Sequence, residues 1–155
     1  MSGAINAGDT SWILVCCSLV LLMTPALALF YGGMVRRKNV LSTLTLSYVF
    51  MALIGVQWVV YGYSLAFGPD IKGVIGGLDF VGFAGVDALP YGAYSKTIPH
   101  GLFAAFQMMF AVITPALITG AFVERVKFKS FLLFSLLWAT LVYDPLCHWV
   151  WGQGA

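Results

Sequence analysis

Residues 12–38 read WILVCCSLVLLMTPALALFYGGMVRRK. From Trp12 to Phe30 no side chain is charged, and then Arg36, Arg37 and Lys38 arrive together. An apolar run of this length crosses a hydrocarbon core of roughly 30 Å, which takes about 20 helical residues. Lipid offers the backbone no hydrogen-bond partners, so the run is expected to be helical. Asp9 and Thr10 are read as its N-cap region, and Pro25 predicts a kink toward its far end. No Lys or Arg precedes the run, whereas a signal peptide places basic residues ahead of its apolar core. A retained first span is therefore expected.

Outward from this stretch the pattern repeats. Spans are expected at about 10–35, 39–68, 98–123 and 130–151, with a long connection at about 69–97. Trp58, Tyr61 and Tyr63 near the end of the second run read as an interfacial belt. Pro69, Gly73, Gly76, Gly77 and Pro90 mark the connection as a loop. Its Ile71, Val74, Phe80 and Phe83 make it too apolar for a disordered linker, so a packed loop with a short helix is predicted. Pro115 is expected to interrupt the third run. The fourth holds one acid, Asp144, beside Pro145.

Composition agrees. The chain is 61% hydrophobic and 9% charged, against roughly a quarter charged in soluble domains, and its mean hydropathy is +0.93. Such a chain cannot build a polar shell, so the fold class is all-α: a polytopic transmembrane helical bundle in a lipid bilayer. A net charge of +2 gives no case for nucleic acid. Cys16, Cys17 and Cys147 lack metal or redox spacing and read as small hydrophobes. Six of the eight basic residues (Arg36, Arg37, Lys38, Arg125, Lys127, Lys129) fall in two short loops separated by two crossings. The positive-inside rule makes both loops cytoplasmic. The N-terminus and the 69–97 loop are then external.

No catalytic constellation appears, so an enzyme is not expected, and no cofactor or metal is implied. Gly32-Gly33 follows an apolar helix rather than a strand and is no dinucleotide fingerprint. Phe103, Phe106 and Phe110 share one helix face at i, i+3 and i+7, with Gln107 beside them. They read as packing or lipid contact, or as an aromatic-lined path for a cation, whose attraction to each ring face is worth about 0.5–2 kcal/mol. Phe110 lies roughly 15 Å deeper than His100 along the helix. Trp151 reads as an interface anchor or as the mouth of such a path. Asp144 is a possible functional acid by its place in a span, or a structural one that breaks the helix with Pro145 and bonds backbone groups. His100 and His148 read as solvated or backbone-bonded. Glu124 and Arg125 read as an exposed cap or as a pair holding the helix end.

Several blocks together resemble one family. Phe30-Tyr31-Gly32-Gly33-Met34-Val35-Arg36-Arg37-Lys38-Asn39 is similar to the first-loop signature of the ammonium transporter family, the Amt/Mep/Rh group. Residues 58–68, from Trp58 to Gly68, resemble the end of its second helix. Phe106-Gln107-Met108-Met109-Phe110-Ala111 and Gly120-Ala121-Phe122-Val123-Glu124-Arg125 resemble its third helix and the turn after it. Tyr143-Asp144-Pro145 and His148-Trp149-Val150-Trp151-Gly152 resemble the end of its fourth.

The resemblance implies an eleven-span inverted-repeat transporter fold, of which residues 1–155 are the N-terminal part of a single domain. It implies a homotrimer in the cell membrane, ammonium or ammonia and methylammonium as substrates, and a cytoplasmic PII-type regulator. It gives Phe110 to a phenylalanine gate, and Phe106 and Trp151 to an external recruitment site. Leu27, Tyr31 and Tyr143 would line the pore. The family's paired pore histidines, second gate ring and recruitment hydroxyl belong to later spans, and His148 matches a position outside that pair. Many members carry an apolar residue at the Asp144 position. An ammonium-sensing membrane domain coupled to a signalling module would share all these blocks.

Overall fold

The computed structural model describes residues 4–153. Four helices dominate: α1 (Ala7–Met34), α2 (Arg37–Phe67), α3 (His100–Phe122) and α4 (Phe128–Trp151). Each is long and apolar enough to cross a membrane. The chain is thus a polytopic helical bundle.

α1 starts one turn before the expected cap. Asn6 has extended backbone, and its side-chain oxygen accepts from the N–H groups of Gly8 at 2.8 Å and Asp9 at 3.1 Å. Thr10 donates instead to the Asn6 carbonyl at 2.8 Å. Asn is as good a cap as Asp, and its earlier position includes Asp9 in the first turn. Neither Pro25 nor Pro115 ends its helix. A proline removes one backbone donor, and neighbouring helices make that loss tolerable in a membrane span.

α2 opens with a 3₁₀ turn at Arg37–Asn39 and contains a π turn at Trp58–Gly62. α4 contains a second π turn at Ala139–Tyr143. The two meet where the Tyr61 hydroxyl lies 3.0 Å from Thr140 Oγ1. α1 packs on α2 and α3, α2 packs on α3, and the upper parts of α2 and α4 pack together. The core has two parts. Trp58, Tyr63, Phe67 and Ala104 anchor the one near the long loop. Leu46, Phe50, Ala116 and Phe131 anchor the one near the basic loops.

The interfacial belt is not formed. Trp58 and Tyr63 are fully buried. Their polar tips find partners inside: Trp58 Nε1 donates to the Ala104 carbonyl at 3.2 Å, and the Tyr63 hydroxyl lies 2.6 Å from His100 Nε2. A satisfied indole or phenol has no need of the membrane surface.

The loop between α2 and α3 packs through Phe80, Phe83 and Tyr94, whereas Ile71 and Val74, also expected to pack it, stay exposed. β1 (Asp70–Ile71) pairs antiparallel with β2 (Ile75–Gly76). Lys72 and Gly73 both have positive φ, 57° and 70°, which the tight connection requires. A short 3₁₀ turn follows at Val81–Phe83. Tyr91 then stacks on His100 with centroids 4.6 Å apart, and Tyr94 stacks on Phe103 at 5.6 Å.

Candidate functional site

α3 and α4 leave a cleft of about 360 Å³ between them, near the long loop. Phe106, Gln107, Phe110 and Thr114 line it from α3, and Tyr143 and Trp151 from α4. Phe106, Phe110 and Thr114 recur at four-residue intervals and share one stripe of the helix, with Gln107 beside it. Phe106 and Phe110 meet edge to face, with centroids 5.2 Å apart and planes at 80°. Trp151 is 63% exposed and Phe110 38%. The lining carries no formal charge. Thr114 spends its proton on the Phe110 carbonyl at 2.7 Å. What remains is four aromatic rings, the Tyr143 hydroxyl and the Gln107 amide, a lining whose ring faces can attract a small cation.

The expected phenylalanine stripe divides. Phe103 turns under the long loop, edge-on to Phe67 at 5.1 Å and stacked on Tyr94. Only Phe106 and Phe110 reach the cleft. The loop covers the upper turn of the stripe because it offers Phe103 apolar contacts that an open mouth would not.

Leu27 and Tyr31 lie elsewhere. Leu27 packs against the Leu46–Phe50–Ala116–Phe131 cluster. Tyr31 donates its hydroxyl proton to the Leu117 carbonyl at 2.8 Å. It lines a separate recess of about 350 Å³ near the basic loops, with Met34, Gly120 and Arg125 among its walls.

Asp144 is fully buried and faces α2 rather than the cleft. The expected helix break and backbone bonds are not found: α4 continues to Trp151, and Asp144 Oδ2 accepts from Gln57 Nε2 at 2.7 Å. An acid that buries itself needs a donor, and the Gln57 amide offers a stronger one than a backbone already paired in helices. Sequence reasoning passed over Gln57. The signal was there, a lone amide inside an uncharged span.

His100 and His148 are buried, not solvated. His148 Nδ1 lies 2.9 Å from the Ala66 carbonyl, so the backbone contact is met, and Nε2 lies 3.0 Å from Asp70 Oδ1. The His148 contact, and then the Gly73 N–H, hold the Asp70 carboxyl below the usual carboxylate range. Glu124 pairs across loops rather than with Arg125. Its Oε1 accepts from Asn39 Nδ2 at 2.8 Å and the Arg36 N–H at 3.1 Å. These bonds hold its carboxyl low, the Asn39 contact most. Among the described residues no group of three or more His, Cys, Asp or Glu stands together as a metal site, and Cys16, Cys17 and Cys147 are free.

The model of the Ammonium Transporter Family matches residues 11–155. A protein of Bacillus subtilis named "Ammonium transporter" is 58% identical over 147 residues, covering 95% of this chain and 36% of that protein. The crystal structure of Saccharomyces cerevisiae Mep2 superposes with a TM-score of 0.83 at 39% identity, over 96% of this chain and 32% of that one. A structure described as a sensor Amt protein shares the fold, with a TM-score of 0.82 at 23% identity over 94% of this chain and 34% of that one. The chain thus spans about a third of the length of the proteins it matches.

Proposed function

We infer that this chain, which belongs to the ammonium transporter family, forms the first spans of a pore that moves ammonium or ammonia across a cell membrane. The observation that carries this reading is the uncharged aromatic cleft of Phe106, Phe110, Tyr143 and Trp151. A small cation at its mouth exchanges part of its water shell for ring faces, each worth about 0.5–2 kcal/mol. Trp151 and Phe106 form the recruitment site, and Phe110 is a gate ring beneath it. Passage of an ion through an apolar pore is prohibitive. Ammonium that gives its proton to water at the mouth crosses as neutral ammonia and escapes most of that cost, and potassium and sodium have no such route. Leu27 and Tyr31 face the inner part of the path once the later spans complete it.

The cleft end is external and the basic loops are cytoplasmic, following the placement of Arg36, Arg37, Lys38, Arg125, Lys127 and Lys129. A PII-type regulator approaches from the cytoplasmic side. The exposed apolar face of α1, with Trp12, Leu22 and Leu29 each more than half exposed, supports burial against lipid or other subunits in a homotrimer. An ammonium sensor would use the same cleft. The B. subtilis relative's name favours transport over sensing.

The test is flux into liposomes holding the full-length protein. Ammonium and methylammonium gradients are expected to drive transport, and an equal potassium gradient none. Equal responses to all three would overturn the reading.

A further inference from the structure

The last segment of α4, Asp144–Trp151, begins directly after a π turn. A π turn inserts an extra residue into the helical repeat and so shifts the face that this segment presents. Two polar side chains anchor that face. Asp144 and His148 are i and i+4, one above the other on a single face, and both are fully buried. Asp144 Oδ2 accepts a hydrogen bond from Gln57 Nε2 at 2.7 Å. His148 reaches the Ala66 carbonyl and Asp70. Every one of these partners belongs to α2 or to the hairpin after it.

The cleft residues of α4 are tied to this face. Tyr143 immediately precedes Asp144. Trp151 lies one turn beyond His148 at the end of the same segment, so it turns with the anchored face although it is itself exposed. Across the contact, Trp58 follows Gln57 and meets the Tyr143 ring edge-on at 6.2 Å. The room for the amide is specific: a Cβ on Gly62 would stand 2.7 Å from both terminal atoms of Gln57.

Holding two helices together does not call for an acid here. A well-packed apolar pair does that as well in a buried site. Asp144 Oδ1 and Gln57 Oε1 are both buried without partners, so the pair is not arranged for maximal satisfaction. What a single directional bond adds is orientation.

We propose that Gln57 and Asp144 are positioning residues: their hydrogen bond sets the rotation of the last segment of α4 and so holds Tyr143 and Trp151 against Phe106 and Phe110. The proposal rests on the cleft's being the place where the cation binds. Neither residue touches the cation. Without the bond the segment samples other rotations. If the productive one falls to about a third of the population, apparent affinity falls about threefold.

The experiment measures methylammonium uptake against concentration in liposomes containing the full-length protein, with maximal flux and half-saturation separated. Asp144→Ala is expected to raise half-saturation about threefold or more, with a smaller change in maximal flux. Asp144→Asn keeps an acceptor for Gln57 and is expected to stay near the wild type. If Asp144→Ala does not fold, the double variant Gln57→Leu/Asp144→Leu removes both polar groups together, and it is expected to fold and to show the same raised half-saturation. An unchanged half-saturation in whichever variant folds overturns the proposal, as does an Asn variant that behaves like the Ala one. Trp151→Leu in the same assay separates the two ideas. If it also leaves half-saturation unchanged, the cleft reading fails. If it raises half-saturation while Asp144→Ala does not, only the positioning proposal fails.

Discussion

Phe110 lies one helical turn below Phe106 on α3, and the two rings meet edge to face at 5.2 Å. Both rings line one cleft with Trp151, and on the proposed function the upper one borders the mouth and the lower one is the gate. This arrangement assigns them different work. Phe110→Ala is expected to alter flux or ion selectivity while leaving the mouth's apparent affinity nearly unchanged. Transport of ammonium, methylammonium and potassium in proteoliposomes measures it. Wild-type flux together with wild-type selectivity would make the ring a packing residue.

Glu124 ties the two basic loops together from a left-handed backbone, φ 64°. Such a conformation is uncommon for a residue with a side chain, and the bonds to Asn39 and Arg36 offset it. Its carboxyl is held below the usual range, so its contribution is fully present above ordinary carboxylate values. That contribution is lost as pH falls through the lower folded value. Asp70 acts in the same direction. Thermal unfolding of the detergent-solubilised full-length protein is expected to weaken between about pH 5 and pH 3. Glu124→Gln is expected to make that loss shallower. Parallel curves for the two proteins would contradict the assignment.

Gly152 lets the end of α4 lie against α2. A Cβ there would stand 2.6 Å from the Ala66 carbonyl and 2.9 Å from His148 Nδ1. One of these is backbone and cannot move aside alone. Gly152→Ala is expected to cost roughly 1–3 kcal/mol, the range for overpacking, read as a lowered unfolding temperature. An unchanged temperature would mean that the α2–α4 contact is looser than described.

Cysteine labelling tests the orientation. Single cysteines at Lys38 and Lys127 are expected to react only from the cytoplasmic side, and cysteines within 75–95 only from outside. External labelling at Lys38 and Lys127 would invert the bundle.

Much of the fold was legible because the membrane imposes length and apolarity on each span separately. Local pattern therefore reveals α1 to α4 without knowledge of their neighbours. Phe106, Phe110 and Trp151 could be singled out because their spacing and blocks are local as well. What escaped was pairing between distant segments. Trp58 and Tyr63 have the composition of an interface belt, and only their contacts with Ala104 and His100 reveal that they are buried. Phe103 sits in a regular stripe, yet Tyr94 in the loop takes it out of the cleft. Asp144 stood out as an acid in a span, but its partner Gln57 is 87 positions away, beyond any periodicity. The π turns at Trp58–Gly62 and Ala139–Tyr143 left no mark in the apolar pattern.

The central claim is that the aromatic cleft between α3 and α4 is where the cation first binds, and Trp151→Leu tests it most directly. Leucine keeps much of the bulk and removes the ring face. Ammonium flux into liposomes carrying the full-length protein, measured against ammonium concentration, should show half-saturation raised roughly twofold to thirtyfold, the span of about 0.5–2 kcal/mol of cation–π attraction. A concentration dependence identical to that of the wild type would make Trp151 an interface anchor and contradict the account.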